Sequence, residues 1–345
     1  METIVCLKTA FEIYHALRCA AVPNEHRDPS LRLKPLRLDR TGHTRLDNKT
    51  PGSRQVEQAL ELNRPLLEDV SLPVHVLVGR GASRRAGATV SPHVWSSELV
   101  PGSLVRIAPG ILASSPEHLF LQMATRLDDL GLIWLGSLLC ATFSQRPNNP
   151  GPLLPAYPLT TVARLEAHLA PAAERGVHGA RNALRLVRHV VESAASTREI
   201  MLPLIGCLPL RMGGRAITKP QLNRYIEFDK RFASTRGRAG CSCDLLWPEA
   251  RLALEYDSDL YHASSKGIAR GNDKQSALQS AGYRMEAMST DQFEHVASTD
   301  SVLLRIMAHL GLRDRTTDCA YDWQKRRWEL RKRLWALEKN GIAWP

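Results

Sequence analysis

Two carboxylates one residue apart, Glu255 and Asp257, close the apolar run Leu252-Ala253-Leu254, and a third, Asp244, opens the run Leu245-Leu246-Trp247. Both runs have the length and composition of strands, and Pro248-Glu249-Ala250-Arg251 between them reads as a turn. Residues two apart in a strand point to the same face, so Glu255 and Asp257 share one. An antiparallel hairpin would bring Asp244 beside that pair. Three carboxylates gathered at the end of an apolar hairpin repel one another unless a cation or protons intervene. Mg²⁺ and Mn²⁺, which take oxygen ligands, suit such a cluster.

The order of residues around this hairpin carries a resemblance. Asp244 is followed by Glu255-x-Asp257, then Tyr261-His262, then Asp273-Lys274 on an expected helix, then Gly282-Tyr283-Arg284 entering another strand. This resembles the very-short-patch-repair-like endonuclease domains, a branch of the PD-(D/E)XK restriction-endonuclease superfamily. Upstream, Ser196-Thr197-Arg198-Glu199 resembles the S-x-x-E that opens the first core helix of that family. The resemblance covers about the last two fifths of the chain. It implies an α/β fold with a restriction-endonuclease-like α-β-β-β-α-β core, and a metal-dependent DNA endonuclease using Mg²⁺ or Mn²⁺. It also implies roles in phage defence, mobile-element biology or mismatch-type repair.

Phosphodiester hydrolysis needs a polarised phosphate, an activated water and a stabilised leaving oxygen, each of which a divalent metal can serve. Asp244 and Glu255 are the expected principal ligands. Asp257 would complete the cluster or orient water, and Glu199 would contribute through its matched family position. The sequence departs from the family pattern at two points: Ser258 stands where Gly usually follows the E-x-D, and no lysine occupies the E-x-K position of the wider superfamily. His262, Lys266 or Lys274 would then stand in for that lysine, His262 also being suited to general acid/base work. Each residue has a plainer reading. Glu199 alone is a first-turn helix residue stabilised by the helix dipole, His262 alone a structural histidine, and Asp273 a helix cap.

The elements that must position these residues read as follows. Ser196 caps a helix running to Leu208. Leu222 to Phe228, Cys241 to Trp247 and Arg251 to Asp257 are expected strands. A helix covers Arg270 to Ala281, a fourth strand Tyr283 to Ser289, and a further helix Asp291 to Leu310. Cys241-x-Cys243 lacks a second Cys or His pair at zinc spacing and reads as ordinary strand. Asp322 to Lys339 is an expected basic amphipathic helix, in which Trp328 and Trp335 fall near one face at a spacing typical of core packing. Its exposed Lys325, Arg326, Arg327 and Arg331 are candidate contacts to a DNA backbone.

Upstream, residues 1 to 60 read as an irregular extension with one helix within Thr9 to Cys19 and polar loops from Pro23 to Ser53. Residues 61 to 145 read as a smaller α+β domain. Pro73 to Val78, Val90 to Trp95 and Leu104 to Ile107 are expected strands, with a basic Gly-punctuated loop from Arg80 to Gly87. Ser115-Pro116-Glu117 starts a helix as N-cap, N1 proline and first-turn acid. His93 together with Ser115 to Ala124 resembles the middle region of AbiEi-like regulatory antitoxins of abortive-infection systems. That resemblance implies a rival function, a catalytically degenerate DNA-binding regulator, with a cognate toxin or other defence-system protein as partner. Residues 146 to 192 read as a Pro/Asn/Gly linker followed by helices, the second bearing a basic stripe of Arg181, Arg185 and Arg188 that would meet phosphates or simply face water.

The chain carries 46 Lys and Arg against 35 Asp and Glu, a net charge of +11, which attracts polyanions such as DNA. Seven scattered cysteines argue for a reducing cytoplasm over a disulfide framework. No apolar run approaches the roughly 18 residues of a membrane span, and the first residues lack the order of a secretory signal, so a cytoplasmic protein without membrane contact is expected.

Overall fold

The computed structural model describes residues 2–20, 38–63, 70–82, 86–145, 152–228, 239–257 and 274–344. The protein is mixed α/β and divides into two compact units, Met1–Val191 with Asn340–Pro345, and Glu192–Lys339. Among the described residues no helix is long and apolar enough to cross a membrane.

The first unit contains β1 (Thr3–Val5), α1 (Leu7–Ala20), β2 (Asp39–Arg40), α2 (Ser53–Leu62), β3 (Val74–Val78), β4 (Val90–Val94), β5 (Leu104–Ala108) and β6 (Ile111–Ser114). The strands form a six-stranded sheet in the order β2-β5-β6-β1-β3-β4. β1 runs parallel to β6 and antiparallel to β3, and β3 runs parallel to β4. Every residue of β3, Val-His-Val-Leu-Val, is buried, as a continuous apolar run between two covered faces should be. Helices α3 (Pro116–Met123), α4 (Asp129–Leu139), α5 (Val162–Glu174) and α6 (Ala180–Val187) complete the unit, and β7 (Phe143–Ser144) pairs with β8 (Leu154–Pro155).

The helix predicted at Ser115 forms as read: the His118 amide donates to Ser115 Oγ. The Glu117 carboxylate, fully buried, accepts two hydrogen bonds from Arg40 at 2.8 and 2.9 Å and one from Thr160 Oγ1 at 2.6 Å. Segments 1–60 and 61–145, and the 146–192 segment up to Val191, all expected to be distinct, fall in this one unit. β1 lies between β6 and β3, so the first residues are core rather than extension. Helix α4 has no counterpart in the sequence reading. It is apolar nearly all round and buried, so it offers no amphipathic period to read. Its Gly136 admits close neighbours: a Cβ there would stand 2.6 Å from Val190 Cγ2 and 2.8 Å from Phe120 Cε2.

The second unit runs α7 (Thr197–Cys207), β9 (Gln221–Glu227), β10 (Gly240–Trp247), β11 (Leu252–Asp257), α8 (274–280), β12 (Arg284–Ser289), α9 (Thr290–Glu294), α10 (Val296–His309) and α11 (Ala320–Asn340). Its four strands lie in the order β12-β11-β10-β9. β9, β10 and β11 are antiparallel neighbours, and β12 is parallel to β11. The parallel pair requires a crossover, and α8 lies within it. Leu246, Ala253, Cys241 and Cys243 of the strands pack in one core cluster with Ala277 and Leu278 of α8. The single helix expected over Asp291 to Leu310 is broken at His295, whose extended backbone ends α9 and starts α10.

Candidate active site

Strand register brings the first two carboxylates together. Leu245 pairs with Leu254, so Asp244 and Glu255 stand one step beyond, where the pairing of β10 with β11 ends in the middle of β10. The Tyr256 amide donates to Asp244 Oδ2 at 2.8 Å, which pins the Asp244 side chain against β11. Glu255 is 9% exposed. One of its oxygens, Oε2, accepts from Lys274 Nζ; the other, Oε1, is buried with no hydrogen-bond partner among the described residues. Burial first, and the nearby Asp244 second, push the Glu255 carboxyl up to about 7, with Lys274 pulling the other way.

Lys274 is the first described residue of α8 and is one of the three candidates for the missing lysine; the other two, His262 and Lys266, lie outside the described residues, as do Ser258, Tyr261 and Asp273. Burial lowers the affinity of Lys274 for its proton, but Glu255, then Asp244, outweigh it and hold the ammonium charged beyond its ordinary range. Asp257 is the last residue of β11 and pairs with Ser289; its side chain is outside the described set.

Glu199 sits near Asp244 but is committed to the fold. Ser196 caps α7 by accepting from the Glu199 amide at 3.2 Å. The Glu199 carboxylate accepts from Ser196 Oγ at 3.0 Å, from the Ala195 amide at 2.8 Å and from Asn223 Nδ2 at 2.6 Å. This arrangement resembles a capping box, in which the N-cap hydroxyl and the third helical side chain satisfy orphan donors reciprocally. Burial raises the Glu199 carboxyl against those hydrogen bonds, and Asp244 adds to the rise. Asn223 carries no mark in the sequence. It adopts φ 51°, a left-handed conformation that Asn tolerates better than most residues, and also donates to Ser193 O at 2.8 Å. It ties β9 to the helix entry beside the carboxylates.

Among the described residues no group of three or more His, Cys, Asp or Glu side chains is arranged to hold a metal. Asp244 and Glu255 alone are side by side, with the Asp257 side chain undescribed.

The basic residues divide in the same way. On α11, Lys325 is exposed, and Arg326 is exposed while paired with the equally solvent-facing Asp322 at 3.6 Å. Arg327 is instead paired with Asp300, and Arg331, 3% exposed, donates to Phe293 O at 2.5 Å. These two guanidiniums hold α11 to its own unit and are not open to a phosphate. Trp328, expected to pack inward with Trp335, is 64% exposed. The inward position goes to Trp323, whose Nε1 donates to Gly214 O at 2.8 Å, while Trp335 lies under the Arg198 guanidinium at 4.0 Å. Trp328 therefore shares the solvent face with Lys325 and Lys332, three before it and four after it. On α6, Arg185 is paired with Asp129 at 2.7 Å, and Arg181 is exposed. Arg188, just after α6, donates to His189 Nε2 at 3.3 Å. All three belong to the first unit, whereas the carboxylates belong to the second.

Comparison of the chain with protein-family models, with curated proteins and with solved structures finds no match.

Proposed function

We propose that the Glu192–Lys339 unit is a metal-dependent endonuclease of restriction-endonuclease-like fold that hydrolyses DNA phosphodiester bonds. The observation that carries this reading is the Glu255 carboxylate. A buried carboxyl with one oxygen on a lysine and the other unpartnered among the described residues, beside a second carboxylate, is costly to leave as it stands. An orphaned buried oxygen next to Asp244 fits a hard divalent cation, which also relieves the repulsion between the two groups. Asp244 and Glu255 would hold Mg²⁺ or Mn²⁺, with Asp257 as a third oxygen source. Mg²⁺ commonly keeps several waters and takes only one or two carboxylates, so a two-carboxylate site is within its habits. The bound metal would supply Lewis-acid polarisation of the phosphate.

The chain's own part follows from its geometry. Lys274, charged and fixed at Glu255, sits where a cation can orient water or neutralise a phosphate oxygen. Glu199 and Asn223 act on position, holding the entry of α7 against β9 beside Asp244. The element order α7-β9-β10-β11-α8-β12 agrees with the helix, three strands, helix, strand expected from the sequence resemblance. The exposed face of α11 with Lys325, Arg326 and Lys332 supplies positive charge for the DNA backbone.

The test is cleavage of supercoiled and linear DNA with Mg²⁺ or Mn²⁺. Wild type should cut; Glu255→Ala, Asp244→Asn and an EDTA control should not. Lys325→Glu with Lys332→Glu should weaken DNA binding. The pair should also shrink the slope of log affinity against log salt by about 0.9 for each phosphate left without its cation. No cleavage by wild type, with salt-sensitive DNA binding intact, would replace the nuclease with the catalytically degenerate regulator.

A further inference from the structure

The first unit holds a groove that the proposed hydrolysis does not use. Two adjoining hollows share Thr125, Val177 and His178. The inner hollow, about 180 Å³, is walled by His93, Trp95 and Gln122, with Arg126 beside them. The outer one, about 550 Å³ and open to solvent, is bounded by Gly179, Arg181 and Asn182 at the start of α6.

The polar groups facing this groove are unsatisfied in a particular pattern. Gln122 is 5% exposed, yet among the described residues its Oε1 has no partner, and the buried Trp95 Nε1 has none either. Arg126 can only donate, so its 3.3 Å contact makes His93 Nδ1 an acceptor. His93 must then carry its proton on Nε2 and pass it as a hydrogen bond to His75 Nδ1 at 2.8 Å. Both rings are thereby occupied with each other and with Arg126. Arg126 and Arg181 are exposed and face no carboxylate among the described residues. α6 starts from Gly179 at φ 84° with no side-chain cap; its first amide, that of Ala180, donates to Val177 O at 3.0 Å, so the amides the first turn offers at the outer hollow are those of Arg181 and Asn182. Open amides and the positive end of the helix dipole favour an anion.

Two guanidiniums and an open helix end at the mouth, with an unpaired acceptor and an indole at depth, call for a ligand of mixed character. An acceptor-only anion answers the mouth and leaves Gln122 unpaired. We propose that this groove binds a nucleotide, its phosphate held by Arg126, Arg181 and the first turn of α6, and its base lodged beside Trp95 with an N–H donated to Gln122. The same chemistry exists in a free nucleotide and in the terminal nucleotide of a nucleic acid strand.

The experiment is isothermal titration calorimetry on the full chain in EDTA, which keeps metal-dependent hydrolysis silent. The probes are the four nucleoside 5′-monophosphates, adenosine, inorganic phosphate and a single-stranded hexanucleotide. At least one monophosphate should bind at a single site, more than tenfold tighter than adenosine or phosphate. Arg181→Ala and Gln122→Leu should each weaken it at least tenfold, and Glu255→Gln should leave it unchanged. Arg181 is exposed, so its variant carries the test even if Gln122→Leu lowers the melting temperature. The proposal is overturned if no monophosphate binds, or if binding is indifferent to both variants. Hexanucleotide binding abolished in Arg181→Ala without monophosphate binding also overturns it, in favour of a backbone contact. Because the site lies in the first unit, its failure leaves the nuclease reading standing, and failure of cleavage leaves this one standing.

Discussion

The Glu255 carboxyl should make the metal-free protein lose stability as pH rises from 4.5 to about 7, and Glu255→Gln should abolish that loss. In the folded chain burial and Asp244 hold this carboxyl at about 7, against 4.5 for the same group in an open chain. Between those two values the unfolded state has released the proton and the folded state still keeps it. Its contribution to stability is therefore fully present below pH 4.5 and lost as pH rises to about 7. The interval from 4.5 to about 7 is about 2.5 tenfold steps, at about 1.4 kcal/mol each, so about 3 kcal/mol is at stake. Lys274 stays charged throughout this window and adds an offset to the comparison, without slope. The assay is urea unfolding in EDTA at pH 4.5, 6 and 8, followed by tryptophan fluorescence. The stability of wild type minus that of Glu255→Gln should fall by about 3 kcal/mol across the series. Divalent metal should restore stability to wild type more at pH 8 than at pH 5, since the ligand must be ionised to bind it. A difference that stays constant with pH would refute the claim that burial and Asp244 control this carboxyl.

Lys274→Met should lower the single-turnover rate of DNA cleavage by about 100-fold or more, the scale of a missing proton-transfer or water-positioning group, while a gel-shift assay finds DNA affinity within about twofold of wild type. An unchanged rate would remove Lys274 from the chemistry. Glu117→Ala should destabilise the first unit by about 1 to 3 kcal/mol in urea unfolding, because it leaves the buried Thr160 hydroxyl without its acceptor, while the partly exposed Arg40 guanidinium can turn to water. Burial pushes the Glu117 carboxyl up, but the Arg40 and Thr160 hydrogen bonds outweigh it and hold it below its ordinary value. Its stabilisation should therefore be present above pH 4.5 and fade on acidification below that, where the variant and wild type converge.

The second unit was legible in the sequence to the extent that its signals are local. Ser196 and Glu199 announce a cap, and Leu245-Leu246-Trp247 and Leu252-Ala253-Leu254 announce paired strands, because caps and short apolar runs are written in neighbouring residues. The first unit was less legible where pairing is distant. β1 is three residues long, and its meaning lies in Val76 and Ile111, far along the chain. The basic stripes mislead for a related reason. Composition gives the charge of Arg185, Arg327 and Arg331, but whether a guanidinium meets solvent or an Asp129, an Asp300 or a Phe293 carbonyl depends on tertiary packing. Asn223 gave no signal, since its role depends on a left-handed turn opposite a helix entry.

The position of Lys274 follows from helix geometry rather than from strand alternation. In a strand, the residue two beyond Glu255 shares its face, and here that residue is Asp257, a carboxylate. A lysine for the same place in the sheet must then come from another element. α8 provides it because Lys274, Ala277 and Leu278 lie at i, i+3 and i+4 on one helical face. Ala277 and Leu278 pack in one cluster with Leu246 and Ala253, which pair across β10 and β11. Ala253 stands two residues before Glu255 and so shares a face of the sheet with it. The apolar side of α8 is therefore seated on the face that bears Glu255, and the same side carries Lys274 forward to it. An ammonium held this way keeps its place through packing at Ala277 and Leu278. Ala277→Leu, which touches neither charge, should then depress DNA cleavage in the direction of Lys274→Met. An unchanged rate in that variant would mean that the pair is held by its own attraction and owes nothing to the seat of the helix.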